Sequence, residues 1–350
     1  MIEPSSDWAP AVPLLEIAHL SKRYAARPTL TERLVATLDH RRAGDGVHAV
    51  SDVCLDLERG ETLGLVGESG CGKSTLARMV AGLLKPTAGE VRYRGQVLYR
   101  ASGATARRQR LKVQMVFQDP MASLNPRMTI QRIIGEAPAV HGLVGREALA
   151  GYVDGIMVQV GLDPALAHRY PHQFSGGQRQ RIAIARALAV KPEILVCDEA
   201  AAALDVSVQA QIINLLMTLR RDLGLTTLLI SHDLGVVYHI CDRTAVMYLG
   251  RIVELAPTET LFGRARHPYS RLLVAGMPRI GAGKQSFVGV SGEVPSPMDP
   301  PAGCGFHPRC RYAVDRCRID RPVLRRGTAD QWIACHRDDI TDTPAETSVP

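Results

Sequence analysis

The 350-residue sequence has no long apolar run. Even AIARALAVKPEILVC is interrupted by Arg186, Lys191 and Glu193, well short of the 18 or more residues a membrane-spanning helix requires. The opening MIEPSSDWAP lacks both the basic start and the apolar centre of a secretory signal. These absences point to a cytoplasmic chain, in which the eight cysteines read as free thiols or metal ligands rather than disulfides. Glycine (31) and proline (22) are too sparse for collagen or mucin, and a 46% apolar content is too high for a disordered chain. There is no internal repeat. Acidic charge is the scarcer sign, 35 residues against 42 basic, and the net +7 is compatible with nucleic acid, anionic lipid or nucleotide without choosing among them. The excess is regional: eight arginines face three aspartates between Cys304 and Arg337. That end carries either a specific feature or a solvated basic face.

What is present is enough chain for one large core and a smaller appendage. Residues 1–13 hold three prolines and read as a flexible lead-in. From Leu14 to about Phe262, short aliphatic runs alternate with helical ones, as in an α/β fold with a largely parallel sheet. Strands are expected at Thr62–Val66, Ile194–Cys197, Thr227–Ile230 and Thr244–Met247. Helices are expected over Ser74–Leu84, Gly177–Val190 and Ser207–Leu223, stopped by Pro86, Pro192 and Gly224. The segment from Ala25 to Gly46 has mixed character. Gly281–Gly303 reads as a linker or strap, followed by an Arg/Cys-rich module and a polar tail, 338–350, expected to be disordered.

Gly67-Glu68-Ser69-Gly70-Cys71-Gly72-Lys73-Ser74-Thr75 satisfies G-x-x-x-x-G-K-[ST] between a predicted strand and a predicted helix. Glycines let successive backbone N–H groups face a polyanion, and the helix start adds about half a positive charge. Lys73 would reach the β and γ phosphates and Ser74 would offer its hydroxyl to Mg²⁺. Gly283-Lys284 also reads GK, but Pro278 stands where the first glycine belongs and no strand precedes it. Cys71 reads as a loop filler open to oxidation.

The strand Ile194–Cys197 leads into Asp198-Glu199, which should face the phosphate loop because ligands of such sheets sit beyond the carboxyl ends of the strands. Asp198 would hold Mg²⁺ and Glu199 would polarise the attacking water. Standing alone, the pair would be a solvated turn. Ser175-Gly176-Gly177-Gln178 opens the next helix with an N-cap and bare N–H groups, either a second anion site or a capped helix and nothing more.

Together these residues resemble the ATP-binding subunits of ABC transporters over roughly Leu14 to Leu261. Gly67–Thr75 resembles Walker A, Phe174–Gln178 the signature motif and Ile194–Glu199 Walker B. Gln118 in VFQDP resembles the Q-loop, Asp205 in ALD the D-loop, His232 in ISHD the switch histidine, and Tyr24 the aromatic that stacks on adenine. The resemblance implies an α/β ABC ATPase core with a mixed sheet and a helical subdomain at about 125–173, plus a small Cys-rich C-terminal module. It implies that ATP and Mg²⁺ sit between the Walker loop of one subunit and the signature helix of a second, with Gln118 joining Ser74 and Asp198 at Mg²⁺ and Glu199, His232 and Gln118 serving hydrolysis. Tyr24, Gly67, Ser69, Gly70, Gly72, Lys73, Ser74, Thr75, Gln118, Asp198, Ser175, Gly176, Gly177, Gln178 and Asp205 are then the nucleotide contacts. One departure is the all-alanine run 200–203, where the family often carries polar residues; a missing hydroxyl at Ala202 would weaken communication between the two ATP sites.

Residues 263–337 are similar to the C-terminal region of the oligopeptide/dipeptide importer group, on His267-Pro268-Tyr269-Ser270, LLVAGMP, and Cys304 through His336. That implies a heterodimeric ATPase pair on the cytoplasmic face of the inner membrane, two permease subunits and an extracytoplasmic solute-binding protein, with peptide, glutathione or nickel complex as cargo and no nucleic acid. Cys304, Cys310, Cys317 and Cys335 suit a [4Fe-4S] cluster, Zn²⁺ or no ligand at all, and the resemblance favours the cluster. Cys54, Cys197 and Cys241 read as packing. The competing class is a soluble ABC ATPase acting on nucleic acid or ribosomes; such proteins typically carry two cores per chain and lack the HPY and four-cysteine end. A P-loop kinase leaves SGGQ without a role.

Overall fold

The computed structural model describes residues 12–24, 46–98, 103–200, 204–277, 292–327 and 330–337. The lead-in over 1–11, the segment 25–45, Ala201–Ala203, the strap residues up to 291 and the tail from 338 lie outside the described residues, and so does the expectation about Ala202.

In chain order the strands are β1 (Leu15–Tyr24), β2 (Val47–Leu57), β3 (Thr62–Val66), β4 (Ala88–Tyr93), β5 (Gln96–Val97), β6 (Val113–Val116), β7 (Ile194–Asp198), β8 (Thr226–Ile230), β9 (Arg243–Tyr248), β10 (Arg251–Pro257), β11 (Arg325–Arg326) and β12 (Trp332–Ile333). They form an antiparallel sheet ordered β2-β1-β4-β5 and a larger mixed sheet ordered β11-β12-β10-β9-β3-β8-β7-β6. Within the larger sheet the β9-β3-β8-β7-β6 run is parallel. β3, β7 and β8 are buried along their whole lengths, which is why each reads as a continuous apolar run instead of an alternating one. On one face the helix Lys73–Val80 and the small sheet pack Leu76, Met79, Leu15, Ile17 and Leu57 against the strands. On the other, helices across 130–188 and the helix Val206–Leu223 contribute Ile133, Met157, Ile182 and Ile212. Helices and 3-10 turns fill the interval 125–173.

The helix from the phosphate loop stops at Val80, four residues before the expected end. Gly82 takes φ 71°, its N–H reaches Met79 O and the Leu83 N–H reaches Arg78 O, so a left-handed glycine cap acts before Pro86 can. The Cys-rich end has no sheet of its own. β12 pairs with β10, and Phe306 packs into the main core, so burial against the ATPase face supplies the core that this segment lacks in sequence. Cys197 and Cys241 are buried packing residues, whereas Cys54 faces outward on β2, its sulfur accepting the His19 N–H at 3.3 Å.

Glu193, just before β7, ties three segments together, receiving Arg94 at 2.6 Å, Lys112 at 3.2 Å and Arg59 at 3.3 Å. Burial alone would raise its pKa, but hydrogen bonds from Arg94, Tyr93 and Lys112 outweigh burial and hold it at about 2. A lowered carboxylate pKa stabilises the fold above the unfolded value of 4.5 and loses that contribution as pH falls through about 2. Glu193→Gln is therefore expected to flatten the fall of Tm between pH 4.5 and 2 in thermal unfolding; an unchanged slope counts against the latch.

Candidate functional site

The phosphate loop leaves β3 at Val66 and enters the helix at Lys73. Gly67 (φ 152°) and Gly72 (φ 109°) pass so close to other backbones that a Cβ would lie 2.2 Å from Met247 O and 2.1 Å from Ala49 O. No side chain fits at either place. Ser69 and Gly70 are exposed at the mouth, and Thr75 is half-buried on the first helical turn. The Lys73 ammonium, buried, donates to Gly67 O at 2.7 Å and Glu68 O at 3.0 Å. Cys71 is buried too, and burial raises its thiol pKa, which corrects the expectation of an oxidation-prone loop cysteine: the protonated, enclosed thiol is the unreactive form.

Across from the loop stand the carboxyl ends of β7 and β8. Ser74 Oγ donates to Asp198 Oδ1 at 3.0 Å, and burial raises the Asp198 pKa. Glu199 adopts φ 48°, costly for a residue with a Cβ, held by its N–H on Ile230 O at 3.0 Å. That turn aims its carboxylate between Gln118, whose Nε2 donates at 2.7 Å, and His232, whose Nδ1 lies 3.6 Å away. Lys73, Ser74, Asp198, Glu199, Gln118 and His232 thus gather at one end of the parallel strands, although they come from four separate stretches of chain.

Tyr24 ends β1 opposite Val47, its ring partly exposed with the Lys22 ammonium 5.2 Å from the centroid. Ser175 caps the helix Gly176–Leu188 in a reciprocal box: its Oγ accepts the Gln178 N–H at 3.3 Å and its own N–H donates to Gln178 Oε1 at 3.0 Å. Among the described residues no hydrogen bond or ion pair joins Ser175–Gln178 to the phosphate loop. This helix start faces outward, as does Asp205, the N-cap of Val206–Leu223. The Arg186 guanidinium donates to Ser123 O, linking the helix to the segment after Gln118.

Cys304, Cys310, Cys317 and Cys335 line one small cavity with His267 and Phe306. Burial pushes the Cys304 thiol up to about 11 and raises Cys310. Sequence reasoning missed Glu68 and its partners. Arg309 grips the Glu68 carboxylate at 2.8 and 3.0 Å, and the Glu68 N–H donates to the Tyr269 hydroxyl at 2.8 Å. The overlooked signal was the acid itself: a carboxylate in a loop built for a polyanion needs a counter-charge from elsewhere in the chain.

A phosphate loop, a carboxylate pair at a strand end and a capped glycine helix start on a mixed sheet define a nucleotide-hydrolysing cassette. The ABC transporter family model matches residues 50–202, and the model of the oligopeptide/dipeptide transporter C-terminal region matches 253–317. The oligopeptide transport ATP-binding protein AppF of Bacillus subtilis is 45% identical over 327 residues, covering 92% of this chain and 97% of that protein. A protein of Sinorhizobium fredii named "Probable peptide ABC transporter ATP-binding protein y4tS" is 50% identical over 291 residues, 83% of this chain and 82% of its own length. Among solved structures, cbiO1 of Clostridium perfringens, part of the cbiONQ transporter complex, superposes with a TM-score of 0.60 at 27% identity, over 72% of this chain and 91% of that one. The dimeric post-hydrolysis ATP-binding cassette MJ0796, bound to ADP and Pi, gives 0.59 at 26% identity, over 70% and 98%. The chain belongs to the ABC transporter ATP-binding family, as an ATPase with an oligopeptide/dipeptide-type C-terminal region.

A Cβ at Gly177 would meet Val208 Cγ1 at 2.4 Å, so the helix Gly176–Leu188 and the helix after Asp205 touch through a missing side chain. Gly177→Ala is expected to cost about 1–3 kcal/mol by overpacking a stiff β-branched residue. Adding Val208→Ala should restore most of the lost Tm in thermal unfolding; failure of that rescue would locate the effect elsewhere.

Proposed function

We propose that the chain is the ATP-hydrolysing subunit of a peptide importer, working at the cytoplasmic membrane face. The observation that carries the hydrolytic reading is the Glu199 carboxylate, held between Gln118 and His232 beside the Ser74–Asp198 pair. The C-terminal match and the relatives' names support the cargo class, and no feature favours nucleic acid or ribosomes. No described helix is long and apolar enough to cross a membrane, so permease partners would supply the channel.

Lys73 and the loop N–H groups bind the triphosphate, and Tyr24 stacks on the base. Ser74 and Asp198 present hard oxygen donors 3.0 Å apart, a fit for Mg²⁺, with the Gln118 amide oxygen as a third donor. Mg²⁺ there would offset charge on the phosphate oxygens. Glu199 accepts a proton from the attacking water, and His232 orients it against the γ phosphate. The outward-facing Ser175, Gly176, Gly177, Gln178 and Asp205 have no phosphate in their own subunit to bind, and they complete the site of a second ATPase subunit, of a different chain in our reading. Two permeases and a solute-binding protein complete the importer.

Removing the base typically costs 10²–10⁴ in rate. Glu199→Gln should lower ATP turnover by that order, retain ATP binding, accumulate the paired subunits, and abolish ATP-driven uptake of labelled di- and oligopeptides in vesicles carrying the whole complex. Undiminished turnover removes Glu199 from the role, and uptake restricted to nickel complexes overturns the cargo.

We further propose that the four cysteines hold an iron–sulfur cluster. Support comes from the donor set: soft thiols around one cavity, with the N–H groups of Phe306, Tyr312 and Arg337 directed at Cys304, Cys310 and Cys335. Anaerobically purified protein is expected to contain about four iron and four sulfide per chain; one zinc without iron overturns this assignment.

A further inference from the structure

Glu68 stands inside the loop that is to receive a polyanion, and its side chain is only 24% exposed. Each polar group of this residue is committed elsewhere. Its N–H goes to Tyr269 of the HPY segment, its carbonyl accepts from Lys73, and its carboxylate is forked by Arg309. Arg309 has little freedom, since its side chain is 4% exposed and Nη1 also donates to the Tyr248 hydroxyl at 3.3 Å. The guanidinium lies about 6 Å from the rings of Tyr248 and Phe306. Those two rings and Tyr269 form one cluster with centroids 4.7–5.4 Å apart. Phe306 and Arg309 both fall between Cys304 and Cys310, so the stretch gripping the loop is the stretch that the cysteines bracket.

Without Arg309, the Glu68 carboxylate would have two poor options. It could compete for the Lys73 ammonium, or stand as an unpaired negative charge beside the triphosphate. Either weakens nucleotide binding.

We propose that Arg309 and Tyr269 are positioning residues for the phosphate loop: they neutralise and anchor Glu68, so that the four-cysteine segment sets the loop's affinity for ATP. This rests on reading the loop as the ATP site. It goes beyond that reading by making a second region of the chain control the site.

The test uses the full chain and equilibrium binding of a fluorescent ATP analogue with Mg²⁺, thermal unfolding reporting fold integrity. Arg309→Gln is expected to weaken binding tenfold or more, Glu68→Gln less than threefold, and the Glu68→Gln/Arg309→Gln double to return within threefold of the parent, because the offending charge is gone. A double variant as weak as Arg309→Gln overturns the charge argument, as does an Arg309→Gln chain that binds normally. Should Arg309→Gln fail to fold, Arg309→Lys carries the same comparison, weaker than the parent and rescued by Glu68→Gln. Tyr269→Phe keeps the ring, loses the acceptor for the Glu68 N–H, and should weaken binding severalfold.

Cys310→Ser reads the link to the cysteine segment. It should weaken binding in the parent and have no further effect in the double variant; equal loss in both backgrounds overturns the link. Absence of binding by the parent itself would instead overturn the ATP-site reading, for which Lys73→Ala is the control.

Discussion

The close passage of the phosphate loop between two other backbones is the constraint on which the rest of the molecule depends. At Gly67 and Gly72 the chain lies against Met247 O and Ala49 O with no room for a Cβ, which fixes the loop relative to β9 on one side and β2 on the other. Once the loop is fixed, the helix Lys73–Val80 can only leave in one direction. Its first turn then brings Ser74 within hydrogen-bond range of Asp198, and Lys73 folds back over Gly67 and Glu68. The parallel β3-β8-β7 run supplies the complementary half, because parallel strands end together and so deliver Asp198, Glu199 and His232 to one rim.

That rim is high in stored cost. Lys73 is buried among carbonyls, Asp198 is held out of water with its pKa raised, and Glu199 sits at positive φ. Such arrangements persist where the surrounding structure over-determines them, and here three layers do so: the buried parallel strands, the helix packed on one face, and the Tyr248–Tyr269–Phe306 wedge on the other. The C-terminal region therefore helps to hold the phosphate loop, through Tyr269 and Arg309 on Glu68. β12 extends the same sheet, Glu254 on β10 accepts the N–H groups of Arg266 and His267, and His267 caps the helix that begins at Pro268. Burial lowers the His267 pKa to about 3, which keeps the ring neutral and able to accept the Tyr269 N–H.

Much of this was legible residue by residue. The strand Thr62–Val66 falls where its apolar run predicts, and the helix ending at Leu223 stops at Gly224 in the left-handed conformation. Motif spacing placed the phosphate loop, the strand-end acids and the capped signature helix. Less legible was the end of the Lys73–Val80 helix, where Pro86 looked the stronger stop and Gly82 acted first because its left-handed cap satisfies two carbonyls. The outward face of Cys54 was overlooked although the sequence carries it: Val53, Leu55 and Leu57 alternate onto the buried face of β2, which leaves Cys54 and Asp56 on the other.

The sequence by itself determined the local geometry: glycines where backbones must nearly touch, aliphatic runs that bury on both faces, caps and stops, and the residue types that handle phosphate. Those follow from short-range sterics and hydrogen bonding, which neighbouring letters record. Only the tertiary structure decided which distant charges meet. Glu68 and Arg309 are separated by 241 positions, and nothing in either segment names the other; their pairing exists because β12 docks on β10 and Phe306 enters the core, carrying a buried guanidinium to a carboxylate of the loop itself.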